Sequence, residues 1–257
     1  KIKGPFDVIF VYQTSPVTVG IPAVYAKTLL KAPVYFWVQD LWPESLKAAG
    51  GVKNIFVLSF FNSLTKWIYK HSRKVLIQSN GFREYILNQG IPNDKIIFYP
   101  NLTEDFYRQL NEVKEYQEFF HNGFFNIVFA GNIGEAQSFK TIIEAINNIK
   151  ELPVKVVVLG DGRYKETALR LIKEKGLVSH FNFIGSFPPT EMPKFFSHAD
   201  ALLVSLKKNK IFSLTIPAKI QSYLACGKPI IASIDGEGAK IIVEGKCGIV
   251  SPAENSI

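Results

Sequence analysis

Cysteine is scarce in this chain, which has two, Cys226 and Cys247, among its 257 residues. They form neither a metal-binding pattern nor a disulfide framework, so the sequence favours a reducing compartment. No uninterrupted apolar run reaches the roughly 18 residues that a membrane-spanning helix needs. The sequence also has no internal repeat and no low-complexity segment, and its length is sufficient to bury a substantial core.

Several kinds of chemistry lack support in the sequence. The four histidines, His71, His121, His180 and His198, are scattered and predict neither a Ser-His-Asp triad nor a metal site. Neither the full dinucleotide fingerprint GxGxxG nor the phosphate loop GxxxxGK followed by Ser or Thr occurs. Because the histidines are scattered, we expect no bound metal ion.

Acidic residues are outnumbered, with 30 Lys and Arg against 22 Asp and Glu and a formal net charge of +8. This excess predicts an anionic partner: a phosphate-bearing ligand, membrane headgroups or nucleic acid. Because no basic block and no nucleic-acid motif with its aromatic spacing appears, we expect no nucleic-acid partner.

Short apolar runs alternate with helical patterns along the whole chain, which predicts βαβ units and parallel sheets. The predicted strands are 7–12, 34–38, 75–79, 96–99, 125–130, 154–159, 181–184, 201–206, 230–234 and 248–250. The segment 103–123 is polar and helical in pattern and is predicted to connect two Rossmann-like domains, at 1–110 and 111–257.

The stretch 54–74 combines aromatic and aliphatic residues with a basic C-terminal end. Such a helix could lie on an anionic membrane surface. It could equally be an ordinary packed helix whose basic end is favoured by the helix dipole. Both interpretations remain open on the sequence.

Glycine-rich loops follow three of the predicted strands: Gly131-Asn132-Ile133-Gly134-Glu135-Ala136-Gln137 before a helix that begins at Phe139, Gly160-Asp161-Gly162-Arg163, and Gly185-Ser186-Phe187. Each alone fits a tight turn between a strand and a helix. Glycines at such positions also let backbone N–H groups approach a phosphate, and a helix N-terminus adds to the attraction. Together, at carboxyl strand ends, the loops predict a nucleotide crevice.

The stretch 212–229 predicts a helix with Thr215 as N-cap, Pro217 in the first turn and Gly227 as the left-handed C-cap. Lys219 then lies in the first turn, where a cation opposes the helix dipole. It is either a solvated lysine or a ligand for a bound phosphate.

Two carboxylates, Asp40 and Glu44, follow the strand 34–38 in the sequence QDLWPES. Ligands bind beyond the carboxyl ends of strands in open parallel sheets. The alternative is that both residues cap a turn around Pro43.

An ordered set of motifs resembles one family: DLWPES, GNIGEAQ, VLGDGR, HADALLV, IPAKIQSYLACGKPI, DGEGAKI and CGIVSP. With these motifs the chain is similar to family 4 glycosyltransferases of the GT-B fold, and most of all to bacterial O-antigen and capsule enzymes that handle N-acetyl-L-fucosamine. The resemblance implies two Rossmann-like domains. By that comparison the N-terminal domain is expected to be incomplete and a C-terminal tail to be missing.

The resemblance also implies an activity. A sugar, an N-acetylated amino-deoxysugar, would pass with retention from a UDP-sugar to a lipid-diphosphate-linked saccharide, at the inner face of the plasma membrane in the cytoplasm. It requires no metal and no other cofactor.

The same resemblance assigns site residues. Phosphate binding falls on Gly131, Asn132 and Gly134. Base contacts fall near Gly160 to Gly162 and Gly185 to Phe187, and Asp40 would orient or deprotonate the acceptor hydroxyl.

Two features of this family are absent from the chain. Glutamates expected eight positions apart are replaced by the Ser213–Leu214 region and by Ser222, which stands where a ribose-binding glutamate is expected. An arginine–lysine pair is replaced by Asn132 and Gln137, which leaves Lys219, with Arg163 as a weaker candidate, to neutralise the diphosphate. The missing glutamates support one alternative, a non-catalytic partner that binds a nucleotide-sugar. A second alternative is a UDP-sugar 2-epimerase, which shares the fold but needs acid/base side chains that the loops of the second domain do not offer.

Overall fold

The computed structural model describes residues 4–48, 52–111 and 113–256 and confirms the predicted alternation of strands and helices. The strands are β1 (Ile9–Tyr12), β2 (Val34–Val38), β3 (Lys74–Ile77), β4 (Ile96–Phe98), β5 (Phe125–Ala130), β6 (Val154–Leu159), β7 (Phe181–Gly185), β8 (Ala201–Ser205), β9 (Ile230–Ser233) and β10 (Gly248–Ser251). Every predicted strand is present, and no bound differs from the prediction by more than two residues.

The helices alternate with these strands. They are α1 (Gly20–Leu30), α2 (Glu44–Ala48), α3 (Ile55–His71), α4 (Phe82–Asn88), α5 (Phe139–Asn148), α6 (Lys165–Glu174), α7 (Met192–Ser197), α8 (Lys210–Leu214), α9 (Ala218–Ala225) and α10 (Glu237–Glu244).

The chain groups into two compact units. The first comprises Lys1–Asn101 with Asn209–Ile216, and the second comprises Leu102–Lys208 with Pro217–Ile257. This grouping and the predicted domains, 1–110 and 111–257, differ in where they place residues 102–110 and 209–216.

The first unit is a four-stranded parallel sheet in the order β1-β2-β3-β4. Alternate residues of β2, Val34, Phe36 and Val38, are fully buried in its core. Such alternation places one face of the strand against the helices and leaves the other less covered.

The predicted amphipathic helix is α3, which begins after Asn54. The Asn54 side chain accepts hydrogen bonds from the N–H groups of Phe56 and Val57. Near its C-terminal end Ile68 and Tyr69 are fully buried, whereas Phe56 near its start is 82% exposed. The helix thus packs at one end and presents apolar side chains at the other, so membrane contact through 54–74 stays a prediction.

The second unit is a six-stranded parallel sheet in the order β10-β9-β8-β5-β6-β7. From β5 the chain proceeds outward to β7, and then returns to the other side of β5 to form β8. This reversal of strand order between β5 and β8 opens a crevice at the carboxyl ends of the strands. Both faces of β5 are covered, since Val128 and Phe129 are each fully buried in separate core clusters.

The prediction of a helical connector at 103–123 is wrong for the described residues. They form turns, with one short 3-10 helix at Gln117–Phe119. Tyr107, Tyr116 and Phe119 pack against the core of the second unit, and the Tyr116 ring stacks on Phe195 with 4.0 Å between centroids. These aromatic contacts fix the segment through packing, which overrides its helical pattern.

The predicted helix within 212–229 is shorter and starts later than expected. α8 ends at Leu214, and α9 begins at Ala218 with Pro217, rather than Thr215, as its N-cap. The Thr215 hydroxyl instead donates to the Ile211 carbonyl of α8, at 3.0 Å. Lys219 remains in the first turn of α9, and Gly227 follows the helix with the expected left-handed φ of +67°.

No helix in the described ranges is long and apolar enough to cross a membrane.

The attachment of α9 to the sheet of its unit predicts the effects of two substitutions. Ile220→Ala removes a fully buried side chain and should lower the free energy of unfolding by about 2–5 kcal/mol. Leu224→Ala, on the same helix but 37% exposed, should cost much less. Urea denaturation of both variants measures the difference, and equal losses would contradict the packing described.

Candidate active site

A cavity of about 530 Å³ lies in the second unit, where it is lined by residues that follow β5, β6 and β7 and by the first turns of α9. Its volume is within the range of small-molecule sites. Six of the residues predicted from the sequence line it: Gly131, Asn132, Gly160, Phe187, Lys219 and Ser222.

The other predicted residues of this unit do not line the cavity. Gly134 and Gly162 support the loops around it, and Gly185 accepts a hydrogen bond from the Gly160 N–H, at 2.7 Å. Arg163 is exposed to solvent just before α6. As a ligand for the diphosphate, Arg163 therefore has no support from this geometry.

The glycines at the ends of β5 and β6 are required by close packing. Gly160 has φ +133°, and a Cβ there would lie 1.9 Å from the Gly131 carbonyl oxygen. Gly131 has φ +136°, and its Cβ would lie 3.2 Å from the Lys219 Nζ. Only glycine combines these backbone conformations with such close contacts.

The structure changes the expectation that backbone amides of the first loop bind phosphate. The Gly131 N–H donates to Leu159 and the Ile133 N–H to Asp161, both at 2.8 Å. The Gly134 N–H donates to the Gln137 side chain at 3.2 Å. These amides are occupied because the loops after β5 and β6 hydrogen-bond to each other, which leaves the Asn132 N–H as the backbone donor of this loop without a partner in the described chain.

The helix after this loop, α5, begins at Phe139, where its apolar pattern predicts it. A 3-10 turn, Glu135–Gln137, and Ser138 separate the loop from α5. The N-terminus of α5 therefore does not follow directly on Gly134, and no residue of α5 lines the cavity.

Lys219 is the lysine of the cavity. Its Nζ lies 4.4 Å from the centre of the Phe129 ring, a cation–π contact. Among the described residues its ammonium has neither a hydrogen-bond nor an ion-pair partner. Desolvation lowers the pKa of Lys219 to about 8. An ammonium held without a counterion in this way can bind an anion.

Sequence reasoning missed the polar residues on another side of the cavity. Glu104 and Tyr107, from the segment that follows the first unit, line it together with Ser222. The Ser222 hydroxyl lies 3.1 Å from the Thr103 hydroxyl. These residues went unnoticed because a wrongly predicted helix gave no reason to place them near α9.

Asp40 belongs to the first unit and follows β2, as predicted. Its backbone carbonyl accepts a hydrogen bond from the fully buried Gln13 side chain, at 3.0 Å. Burial raises the pKa of the Asp40 carboxyl, which makes it a stronger base once ionised. Glu44 instead forms an ion pair with Lys47, at 3.0 Å on the same helix.

Within the described ranges, no group of three or more His, Cys, Asp or Glu residues could hold a metal ion.

Two parallel α/β units, the second with Rossmann strand order and a cavity at its switch point, define the GT-B fold of glycosyltransferases. A solved structure agrees with this: HepE of Anabaena, crystallised with UDP and glucose, has a TM-score of 0.78 with 14% identity. The match covers 98% of this chain and 65% of HepE.

The chain belongs to the family "Glycosyl transferases group 1", whose model matches residues 112–257. Residues 2–101 match a second model, "Glycosyl transferase 4-like domain". The resemblance to family 4 glycosyltransferases is thereby confirmed, whereas the specificity for an O-antigen fucosamine donor stays a prediction.

Two curated proteins are similar to parts of the chain. WcaI of Escherichia coli K12, named as a glycosyl transferase of colanic acid biosynthesis, is 23% identical over 55% of this chain and 35% of its own length. A GDP-mannose-dependent phosphatidylinositol monomannoside mannosyltransferase of Mycolicibacterium smegmatis is 28% identical over 37% of this chain and 25% of its own length. The matches thus span about a third and a quarter of these relatives.

Substituting Gly160 tests the packing of the two glycine loops. Gly160→Ala should destabilise the second unit more than Gly185→Ala, because both glycines have positive φ but only Gly160 lacks room for a Cβ. Thermal or urea denaturation of the two variants compares them, with Gly185→Ala as the control for backbone strain alone. Equal destabilisation would mean that the contact with Gly131 does not matter.

Lys219 should destabilise the folded, unliganded protein at neutral pH. Its folded-state pKa of about 8 lies below the ordinary 10.5, so the unfolded chain binds more protons between these values and stability due to this group rises with pH across that window. Lys219→Met should therefore unfold at a higher urea concentration than the parent at pH 7. The difference between the two urea midpoints should narrow between pH 8 and 10.5.

The exposed Lys208 provides the matched control, since Lys208→Met should leave the urea midpoint nearly unchanged at every pH. A Lys219→Met variant that is no more stable than the parent at pH 7 would contradict the desolvation of this ammonium.

Proposed function

We propose that the chain is the donor-binding part of a glycosyltransferase, which moves a sugar from a UDP-sugar to a hydroxyl of a lipid-diphosphate-linked saccharide. The observation that carries this proposal is the unpaired Lys219 ammonium in a cavity at the carboxyl ends of a Rossmann-type sheet. The HepE structures support the donor class, since HepE was crystallised in complex with UDP and with UDP-glucose.

Neutralisation of the leaving diphosphate falls on Lys219. Negative charge grows on the diphosphate as the bond to the sugar breaks, and a preorganised cation stabilises that charge in the transition state more than in the ground state. The backbone N–H and side-chain amide of Asn132 add donors beside it. No metal is required in this scheme.

The nucleoside would lie along the loops after β6 and β7. Gly160 permits close approach of a ligand there, and Ser186 and Phe187 line the same cavity. The Phe187 ring is held by the Phe195 ring, with 4.7 Å between centroids, and offers an apolar face to a base.

The acceptor hydroxyl would be oriented or deprotonated by Asp40. A carboxylate with a raised pKa is a better general base, because the ideal catalytic pKa lies near the operating pH. The product retains the anomeric configuration of the donor.

The acceptor lies at the inner face of the plasma membrane. The helix α3, through its exposed Phe56, would contact that membrane.

An N-acetylated amino-deoxysugar is the proposed donor sugar, in surface-polysaccharide biosynthesis. The relation to WcaI supports the pathway class, whereas the mannosyltransferase relative is named for a GDP-linked donor. UDP-linked and GDP-linked sugars must therefore be compared directly as donors. Incubating the preferred donor without acceptor distinguishes transfer from the epimerase alternative, which would yield an epimer.

Thermal shift with UDP, GDP and their sugar conjugates tests the proposal. At a hundred times its Kd a ligand stabilises by about 2.7 kcal/mol, which should raise Tm by several degrees. We expect the largest shift from a UDP-sugar, a clearly smaller shift in Lys219→Ala and an unchanged one in the matched surface variant Lys208→Ala.

With acceptor present, Lys219→Ala should lower turnover by roughly 10²–10³, the effect of losing a donor to a developing oxyanion. Near-normal turnover in this variant would remove Lys219 from the mechanism. A shift from GDP-sugars alone would overturn the UDP assignment.

A further inference from the structure

Glu104 lies in the cavity although it comes from the segment after the first unit and not from the sheet. The cavity has two carboxylates, Glu104 and Asp161. Asp161 is held within its own loop, since it accepts the Gly162 N–H at 2.8 Å and lies 3.5 Å from the Lys165 Nζ. Glu104 has no cationic partner in the described part of the chain.

Two hydroxyl groups lead from this carboxylate to α9. The Thr103 hydroxyl lies 3.5 Å from Glu104 Oε2 and 3.1 Å from the Ser222 hydroxyl. Tyr107 lines the cavity beside them, and its backbone N–H donates to the Glu104 carbonyl at 3.0 Å, which forms a turn. The negative charge of Glu104 also helps to raise the pKa of Tyr107, after burial as the main cause. The turn therefore places a carboxylate against the hydroxyl groups at the edge of α9.

The spacing along α9 relates this polar corner to Lys219. Residues 219 and 222 are three apart and thus share one face of the helix, about 4.5 Å apart along its axis. A nucleoside diphosphate has the same sequence of groups: an anionic diphosphate, then a ribose that carries two hydroxyl groups. With the diphosphate at Lys219, the ribose hydroxyls come to the corner formed by Ser222 and Glu104.

We propose that Glu104 binds the ribose diol of the nucleotide, a role taken by a residue outside the Rossmann sheet and outside α9. An ionised carboxylate only accepts hydrogen bonds, so its two oxygens suit two neighbouring O–H donors. Acidic side chains bind ribose in this manner in other Rossmann sites. The assignment rests on the proposed function, since it takes the ligand to be a nucleoside diphosphate.

This assignment also accounts for Ser222. A glutamate at 222 would extend toward the space that Thr103 and Glu104 now occupy, because the Ser222 hydroxyl already contacts Thr103. One carboxylate at this corner is enough, and a second would add like-charge repulsion. In this chain the carboxylate reaches the corner from the connecting segment, and the helix supplies a small hydroxyl residue.

The test compares the binding of UDP and 2′,3′-dideoxy-UDP by calorimetry. The parent protein should prefer UDP by about 10- to 100-fold, the range for hydrogen bonds to a charged group. Glu104→Ala should reduce that preference by at least about tenfold while its affinity for dideoxy-UDP stays close to the parent's. Asp105→Asn, a neighbouring exposed carboxylate that does not line the cavity, should keep the parent's preference.

A second variant tests the position rather than the residue. Adding Ser222→Glu to Glu104→Ala should restore a preference for UDP, since it returns a carboxylate to the same corner. If the parent binds UDP and Glu104→Ala keeps the full preference for UDP over dideoxy-UDP, the role of Glu104 is overturned. The proposed function would then still stand. A parent that binds neither nucleotide would overturn both.

Discussion

Lys219 holds its ammonium over the ring of Phe129, beside Gly131, with no counterion among the described residues. Such a charge is unfavourable in the unliganded protein, as its lowered pKa of about 8 records. The surrounding structure maintains it: α9 is anchored by the fully buried Ile220, and the Tyr223 hydroxyl accepts the Ala130 N–H at 3.3 Å. A binding group held in place before its ligand arrives loses little entropy on binding, which is the condition for efficient electrostatic catalysis.

The sheet provides the space that this cation requires. Strands β5 and β6 are adjacent and parallel, so the loops after them meet at one edge of the sheet, and glycine at 131 and 160 lets them pack backbone to backbone. As a consequence, most N–H groups of these loops donate hydrogen bonds to neighbouring loop residues. In the proposed function, phosphate recognition would therefore depend on Lys219 and Asn132 more than on a cradle of amides.

The strands were predictable because parallel strands that lie inside a domain have short apolar sequences bounded by turn residues. β2, β5 and β6 begin and end at the predicted residues. The glycine loops and Lys219 could be located for the same reason, since they punctuate those runs. The connecting segment was not predictable, because its conformation comes from the stacking of Tyr116 on Phe195, a contact between residues distant in sequence. Glu104 was missed with it. The hydrogen bonds that occupy the loop amides likewise arise only when two separate loops meet.

Proton uptake on UDP binding tests the account most directly. Calorimetry at pH 8.5 in buffers of different ionisation enthalpy measures how many protons the complex gains. Because the diphosphate favours the charged form of Lys219, whose pKa is about 8 in the unliganded protein, the parent should take up a substantial fraction of a proton, and Lys219→Met should take up none. UDP binding without proton uptake, or the same uptake in both proteins, would contradict the claim that this ammonium is the diphosphate ligand.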